Sequence, residues 1–452
     1  MNFSIWPKRI YFGPILIFYL IILFLYGSMQ QSKLPAAPIV AMQVAAAFIT
    51  FFFSFLYSKK SIAITCIIIF IFQLICCFGL RYFNNEFFHN PLGYNPADAL
   101  AYHLHASQFY RYSLHEMNNF MDSMDFMLDD QGMNYITYFI YKIAGSPERG
   151  QNLAVLINIC CITLSSYYAY LLSRVFVANR YAHFTAFVWG TQLYATYTAA
   201  SGLKENYMVC LIIISLFYIV KLCNDFSLKN ILLALLYASS ALFFRMALFY
   251  MLICSILFVA VMKFPLIRRY LYLLLIIAVI LTWISYKRTF DEMVVLRSGA
   301  DAMDYDTYEG LVQGRMDSAG IFATVVSYLS ALIGPLPNII ASGPKANYIT
   351  LYGFSSFCKS FYAFYFIYAI IVAIKERKTE ALALLVFWFL EISMLIITFF
   401  TLHDRYHWPH VLIVITLSVW GAIKWDNSHN NKLFKYLYIV LALIIITIFN
   451  FR

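Results

Sequence analysis

Long uninterrupted apolar runs recur along this chain of 452 residues and constrain its fold more than any other feature. An apolar run of about 18 residues or more is long enough to cross a bilayer as a helix. A closed β-barrel would need strands that alternate polar and apolar residues, whereas these runs are continuous. The composition agrees, because 62% of the residues are hydrophobic and 12% are charged. The sequence therefore predicts an all-α, polytopic helical membrane protein and excludes soluble, disordered and fibrous proteins.

The apolar runs predict about thirteen transmembrane helices, which form a single integral membrane domain over residues 1–452. The first run follows two basic residues and no cleavage site is recognisable after it, so we expect a retained first helix. The predicted helices cover residues 10–27, 37–57, 61–80, 150–173, 181–199, 206–222, 230–244, 247–263, 270–286, 356–374, 380–400, 409–423 and 434–450.

The net charge of +10 is distributed unevenly over the connections between these helices. With a cytoplasmic N-terminus, the cytoplasmic connections carry more than half of the 32 basic residues, and their acidic residues are Asp225, Glu376, Glu380 and Asp426. This arrangement satisfies the positive-inside rule at every turn. The rule also decides the run 230–263. A single helix there would invert the charges of all later connections, so we predict two short helices around Arg245, either as two spans or as a hairpin that does not cross fully.

Two long loops fall on the outer side in this topology, at residues 81–149 and 287–355. Both are acidic on balance, and both contain segments with the pattern of amphipathic helices, at 97–110 and 321–333. The segment 134–143 is mostly apolar but too short to span, so we expect it to lie at the interface or to re-enter the membrane.

The first loop contains an aspartate that is suited to acid–base chemistry. Pro96 favours a helix start, which places the carboxylate of Asp98 near the positive end of the helix dipole. Tyr102 lies four residues later and hence on the same face. A carboxylate at the membrane–water boundary is suited to accept a proton from a hydroxyl group or to orient that group. The alternative is a helix cap followed by an aromatic interface anchor.

Three histidines, an aspartate and an arginine lie within the eight residues 403–410. The planar guanidinium of Arg405 is suited to bind a phosphate, and the histidines add hydrogen-bond donors. His403 and His407 have the spacing of a two-histidine metal pair. No third ligand is identifiable, so metal binding stays open. Trp, Tyr and His are also ordinary interfacial anchors, which is the alternative.

Four further charged residues interrupt the apolar pattern. Lys204 and Glu205 occupy a short outer turn, either as a solvated turn or as part of a site. Arg245 lies between two short helices, where an arginine must extend to the interface, pair, or bind an anion. For Glu391, within the eleventh predicted helix, we expect a structural hydrogen bond to a neighbouring helix. The other candidates, Asp98, Lys204, Glu205, Arg245, Asp404 and Arg405, all fall on the predicted outer side, which suits a lipid phosphate joined to a polar group.

This pattern resembles the GT-C glycosyltransferases, which are polytopic enzymes that take a sugar from a polyprenyl-phosphate carrier. Members carry an acidic residue in the first large outer loop, often within an Asp-x-x-x-Tyr-His-x-x-Ala string, and Asp98, Tyr102, His103 and Ala106 match it here. Many bacterial members carry Arg-Tyr-x-x-Pro at the start of a late helix, which residues 405–409 match. Lys204-Glu205 is a looser parallel to a Lys-Asp or Lys-Glu turn in the family.

The resemblance implies an inverting transfer in which Asp98 orients or deprotonates the acceptor hydroxyl and cations stabilise the leaving phosphate. It implies a bacterial inner-membrane location, a polyprenyl-phosphate-linked sugar donor, a glycan or lipid-linked acceptor, contact with membrane lipids and no role for nucleic acid. The first loop has no Asp-x-Asp, so no cofactor is assigned and dependence on a divalent metal stays open. The expected phosphate-binding residues are Arg405, Arg245, Lys204 and His403, and the expected substrate contacts are Tyr102, His103, Glu205, Tyr406 and His407.

Two alternative functions stay open from the sequence. An O-antigen or capsular polysaccharide polymerase also acts on polyprenyl-linked glycans and would use the charged second loop. A lipid-linked glycan flippase or other transporter would place charges within its helices, and the predicted helices are nearly uncharged apart from Glu391. The relevant second-loop residues are Arg297, Asp301, Asp304, Asp306, Tyr308, Glu309 and Arg315.

Overall fold

A computed structural model describes residues 37–53, 56, 61–93, 97–123, 128–264, 363–397, 404–428 and 432–450. Within these ranges, all regular secondary structure is helical, which confirms the predicted class of a helical membrane protein. The predicted helices 10–27 and 270–286 and the second outer loop lie outside the described residues. The helices long and apolar enough to cross a membrane are Ile62–Phe88, Pro147–Ser173, Glu205–Asn224, Met246–Lys263, Thr379–Ile396 and Tyr406–Asn427.

The described helices are labelled in chain order, and two of them continue into a short turn of another type. Helix α1 ends in the π-helical turn Ile49–Phe53, and α10 ends in the 3₁₀ turn Ala241–Phe243. The helices are α1 (Ala37–Phe48), α2 (Ile62–Phe88), α3 (Ala97–Phe109), α4 (Leu114–Ser123), α5 (Leu128–Ala144), α6 (Pro147–Ser173), α7 (Asn179–Gly190), α8 (Leu193–Ser201), α9 (Glu205–Asn224), α10 (Leu228–Ser240), α11 (Met246–Lys263), α12 (Ala363–Lys375), α13 (Thr379–Ile397), α14 (Asp404–Asn427) and α15 (Lys432–Asn450).

Helix α9 is the central helix of the bundle. It packs against α6, α8, α10, α11, α13 and α14. Apolar side chains such as Ile212, Ile213 and Leu216 are fully buried on it, and they belong to one large core cluster shared by most of the helices. Because this helix is buried on nearly all sides, its position fixes the relative placement of the helices around it.

Helix α2 extends beyond residue 80, where the sequence places its end. It continues to Phe88 and stops at His89, which adopts a left-handed conformation with φ of 53°. The extension is possible because polar side chains in it are buried with partners. Arg81 donates to the Ala200 carbonyl at 3.2 Å and to Gln151 Oε1 at 2.9 Å. A charged residue after an apolar run therefore marks no helix end here.

The predicted single helix 181–199 is wrong, because the chain forms two short helices, α7 and α8, with a break at Thr191 and Gln192. Gln73 of α2 bridges the break. Its Nε2 donates to the Gly190 carbonyl at 2.7 Å, and its Oε1 accepts from Thr196 Oγ1 at 2.9 Å. A polar side chain on a neighbouring helix thus supplies a partner where the helical hydrogen bonds stop.

The predicted division of residues 230–263 into two helices is confirmed. Helix α10 and its 3₁₀ turn end at Phe243, Arg245 is extended, and α11 begins at Met246. At the far end of α11, Lys263 Nζ donates to the Cys223 carbonyl at 3.4 Å. This carbonyl lies near the end of α9, immediately before α10 begins. Helices α10 and α11 therefore form an antiparallel hairpin with Arg245 at its tip.

The first loop predicted on the outer side, residues 81–149, is mostly helical in its described part. The predicted amphipathic segment 97–110 corresponds to α3, and the apolar segment 134–143 forms part of α5. Helix α5 packs against α3, against α6 and against the 3₁₀ turn before Arg245. The approach to that turn is close, because a Cβ atom added at Gly132 would overlap the Phe243 carbonyl oxygen. Helix α5 therefore links the first loop to the tip of the α10–α11 hairpin.

The contacts separate the two ends of the bundle. The loop end is the end where α2 finishes, where Ala200 contacts Arg81 and where α9 begins at Glu205. The hairpin tip at Arg245 belongs to this end, because α11 finishes beside Cys223 at the other end. At that second end, Lys424 pairs with Glu376 at 2.7 Å. We call it the basic end, since Lys221, Lys263, Lys378 and Lys424 lie there.

Candidate functional site

Arg245 and Tyr406, two residues expected in the site from separate parts of the sequence, are in contact. The Cζ atom of Arg245 lies 4.6 Å from the centroid of the Tyr406 ring. A guanidinium at this distance is attracted by the ring's negative face. Among the described residues the guanidinium has no hydrogen-bond partner, and the side chain is partly exposed. Its donors are thus available to a ligand at the loop end.

The Arg-Tyr-x-x-Pro string forms the first turns of α14. Arg405 lies in the first turn, but its side chain is outside what the structure describes, as is His403. Pro409 lies inside the helix and lacks the N–H that would bond the Arg405 carbonyl. The unpaired backbone N–H groups of a first turn favour a nearby anion. The start of α14 therefore offers backbone N–H donors to an anion beside the Arg245 guanidinium.

His407 faces the interior, where it belongs to a chain of three ionisable side chains. His407 Nδ1 lies 3.4 Å from His410 Nε2, and His410 Nδ1 lies 3.2 Å from Glu391 Oε2 of α13. All three side chains are at most 1% exposed. Glu391 thus lies at ion-pair distance from His410 of a neighbouring helix, whereas the structural hydrogen bond expected from the sequence stays a prediction. The structure places His407 in this buried chain, one turn below the loop end.

The neighbouring Trp408 packs into the same region. Its ring stacks on Trp189 of α7 with centroids 4.5 Å apart, and it meets Tyr194 of α8 edge-on at 4.9 Å. These contacts fix the start of α14 against both helices of the interrupted segment. Within the described part of the chain, no group of three or more His, Cys, Asp or Glu side chains is arranged to hold a metal ion.

The first-loop residues of the expected site lie on α3. Asp98 is in its first turn, as expected from the preceding proline, and its side chain is partly buried. Tyr102 is 7% exposed and packs into the main core, so it anchors α3. His103 Nδ1 lies 2.8 Å from the Tyr141 hydroxyl and 3.0 Å from Gln151 Nε2. Burial, and secondly the charge of Arg81, lower the pKa of His103.

The Lys204–Glu205 turn is buried. Lys204 is 6% exposed and Glu205 is fully buried at the first position of α9. The turn is shaped by Gly202, whose φ of 76° is a left-handed conformation that glycine adopts readily. Asn206 Nδ2 donates to the Ala195 carbonyl at 3.0 Å, which ties the start of α9 to α8. The alternative of a solvated turn is therefore wrong.

Arg81 and Gln151 contribute to this region although no sequence pattern indicates them. Arg81 stands where the apolar run ends, so it reads as the first residue of a loop. Gln151 lies near the start of α6 and is uncharged, so it does not indicate a functional site. Their joint role depends on α2 and α6 packing together, which is visible only in the fold.

The expected site residues fall into two groups at the loop end. One consists of Arg245, Tyr406 and the start of α14, and the other is built around His103, which Gln151 and Arg81 connect to Ala200, shortly before the buried turn at Glu205. Helix α5 links them, because it packs against α3 and against the turn that precedes Arg245.

No family model matches the sequence, and no curated protein or solved structure matches it either.

Proposed function

We propose that the chain is a GT-C-type membrane glycosyltransferase. It would move a sugar from a polyprenyl-phosphate-linked donor to a cell-envelope glycan or lipid acceptor at the outer face of a bacterial inner membrane. The proposal includes the thirteen predicted spans, with the basic end in the cytoplasm and the loop end facing the periplasm or outside.

The contact between Arg245 and Tyr406 carries this proposal. It joins the tip of the α10–α11 hairpin to the Arg-Tyr-x-x-Pro helix start, two positions that the sequence selects independently. The guanidinium there is partly exposed and lies beside the first turn of a helix. A cation next to such a turn suits a phosphate group that arrives at the membrane surface.

In the proposed reaction, Asp98 accepts the proton of the acceptor hydroxyl while the hydroxyl oxygen attacks the anomeric carbon of the sugar. The bond between that carbon and the carrier phosphate oxygen breaks, and the phosphate leaves with the bonding electrons. Arg405 and Arg245 stabilise its developing charge, with Lys204 and His403 as further candidates. One displacement inverts the anomeric configuration.

The experiment compares surface and lipid-linked glycans of the native host carrying wild-type protein, Asp98→Asn or Arg405→Ala at equal expression. Glu148→Gln and Arg149→Ala are matched controls, since both residues are exposed in the first turn of α6. Loss of one sugar with chain length retained supports the transferase. Collapse of the length ladder to one repeat unit identifies a polymerase instead. Unchanged glycans in both variants would contradict the proposed site.

Transport of a lipid-linked glycan is a second candidate, favoured by the buried Glu391–His410–His407 chain within helices long enough to span. Ionisable groups inside spanning helices commonly mark ion or substrate pathways. A proton-coupled transporter predicts that Glu391→Gln makes the lipid-linked glycan accumulate on the inner face without changing its structure. A transferase predicts accumulation of an incomplete glycan in Asp98→Asn.

A further inference from the structure

The hydrogen bonds around His103 define where its ring proton lies. The Arg81 guanidinium only donates, so the Gln151 atom 2.9 Å from it must be the carbonyl oxygen Oε1. The amide nitrogen of Gln151 then faces His103 Nδ1 at 3.0 Å. Since an amide nitrogen also only donates, Nδ1 must accept and carries no proton. The ring proton of a neutral His103 is therefore on Nε2.

Tyr141 supports the same assignment. Its hydroxyl lies 2.8 Å from Nδ1, and a hydroxyl beside an unprotonated nitrogen donates to it. Burial raises the pKa of Tyr141, which keeps this proton in place. Ser107 Oγ makes a longer contact of 3.4 Å with the same nitrogen. Within the described residues, all these contacts reach Nδ1 and none reaches Nε2.

The groups around His103 disfavour its cationic form. Arg81 from α2 and Tyr141 from α5 are the titratable groups that act on it among the described residues. Helix α6 contributes the neutral Gln151, and α3 itself contributes the neutral Ser107. A second proton would bring a positive charge close to Arg81 and would remove the acceptor that Gln151 requires.

We propose that Arg81 and Gln151 are positioning residues that hold His103 as a neutral imidazole whose Nε2–H donates a hydrogen bond to a hydroxyl or phosphate oxygen of the substrate. The oxygen's origin rests on the proposed function, whereas the protonation state is a property of the protein. His103 then supplies a hydrogen-bond donor to the substrate, and the proton of the acceptor hydroxyl goes to Asp98.

The protonation state is tested on the purified full-length protein. NMR of the protein labelled with ¹⁵N-histidine follows the ring-nitrogen shifts of His103 as a function of pH, and the loss of its signals in His103→Gln assigns them. We expect a midpoint below about 6.5, the ordinary histidine value. Gln151→Glu replaces a donor by a carboxylate and should raise the midpoint by about one unit. Ser107→Ala is the matched control and should leave it unchanged. A wild-type midpoint at or above about 6.5, or no rise in Gln151→Glu, would overturn the proposal.

The role of Nε2 is tested with a pair of substitutions. The amide nitrogen of His103→Gln reaches the position of Nε2, whereas that of His103→Asn reaches the position of Nδ1. We expect at least about tenfold more glycan product with glutamine, since only it keeps the donor. Equal product, or more with asparagine, would overturn the donor role. The titration needs no sugar transfer, so failure of this inference and failure of the proposed function give different results.

Discussion

The bundle contains one break within a predicted membrane helix and one between two predicted helices, and the two breaks differ in the polar groups that face the freed backbone. Between α7 and α8, Gln73 bonds the Gly190 carbonyl and the Thr196 hydroxyl, and the residues around the break are buried. Between α10 and α11, the polar residue at the break is Arg245, a partly exposed cation over the Tyr406 ring. We call these the closed break and the charged break.

The difference separates a structural interruption from a candidate binding position. At the closed break, neutral donors and acceptors of the protein satisfy each other, so a ligand has little to bind there. At the charged break, a fixed charge is held by an aromatic face, and its hydrogen-bond donors remain available. A break between helices is therefore informative about function only when its polar groups are known together with their partners.

The largest effect is expected where α5 touches the charged break. In Gly132→Ala the added Cβ would overlap the backbone oxygen of Phe243, so the turn before Arg245 must move. We expect a loss of about 3 kcal/mol in unfolding free energy and a loss of glycan product. Gly79→Ala, with open space around its Cβ, is the control. Thermal unfolding in detergent measures the stability, and glycan profiles measure the product. A variant as stable and active as Gly79→Ala would contradict this packing.

The closed break is tested by Gln73→Leu. The substitution leaves the Gly190 carbonyl and the Thr196 hydroxyl without the side chain that bonds them. We expect unfolding free energy to fall by about 2 kcal/mol, because each buried group loses its partner. Glycan product per folded molecule should stay unchanged. A specific loss of product at normal stability would make this break part of the site and remove the distinction between the two.

The sequence predicts one of these breaks and conceals the other for a physical reason. A charge between apolar segments has to be explained, so Arg245 marks the charged break from sequence alone. The closed break consists of uncharged residues, and its main partner, Gln73, lies 117 positions before Gly190. Burial of Lys204 and Glu205 likewise depends on packing between α8 and α9. Segments and charges could thus be predicted, whereas the pairing of polar groups between helices could not.

The charged break itself is tested with three substitutions. Arg245→Gln should lower glycan product about tenfold, equivalent to about 1.4 kcal/mol, with little change in stability. Arg245→Lys keeps the charge but loses the planar guanidinium, and its glycan product should lie between that of wild type and that of Arg245→Gln. Tyr406→Phe keeps the aromatic face against Arg245 and removes only the hydroxyl, so it should lower glycan product less than Arg245→Gln does. If Arg245→Gln instead destabilises the protein and leaves product per folded molecule unchanged, Arg245 is a structural residue like Gln73.

The smallest effect distinguishes single contacts at the closed break. Thr191 Oγ1 lies 2.6 Å from Thr50 Oγ1 and 2.8 Å from the Phe187 carbonyl. Thr191→Val keeps the shape but removes the hydroxyl, and we expect a loss of about 1 kcal/mol in unfolding free energy. Thr447→Val is the matched control, because Thr447 is exposed and bonds only its own helix, at the Leu443 carbonyl. The difference between the two variants measures the contact between α7 and the turn after α1. Equal losses would mean that this contact contributes nothing, and the closed break would then depend on Gln73.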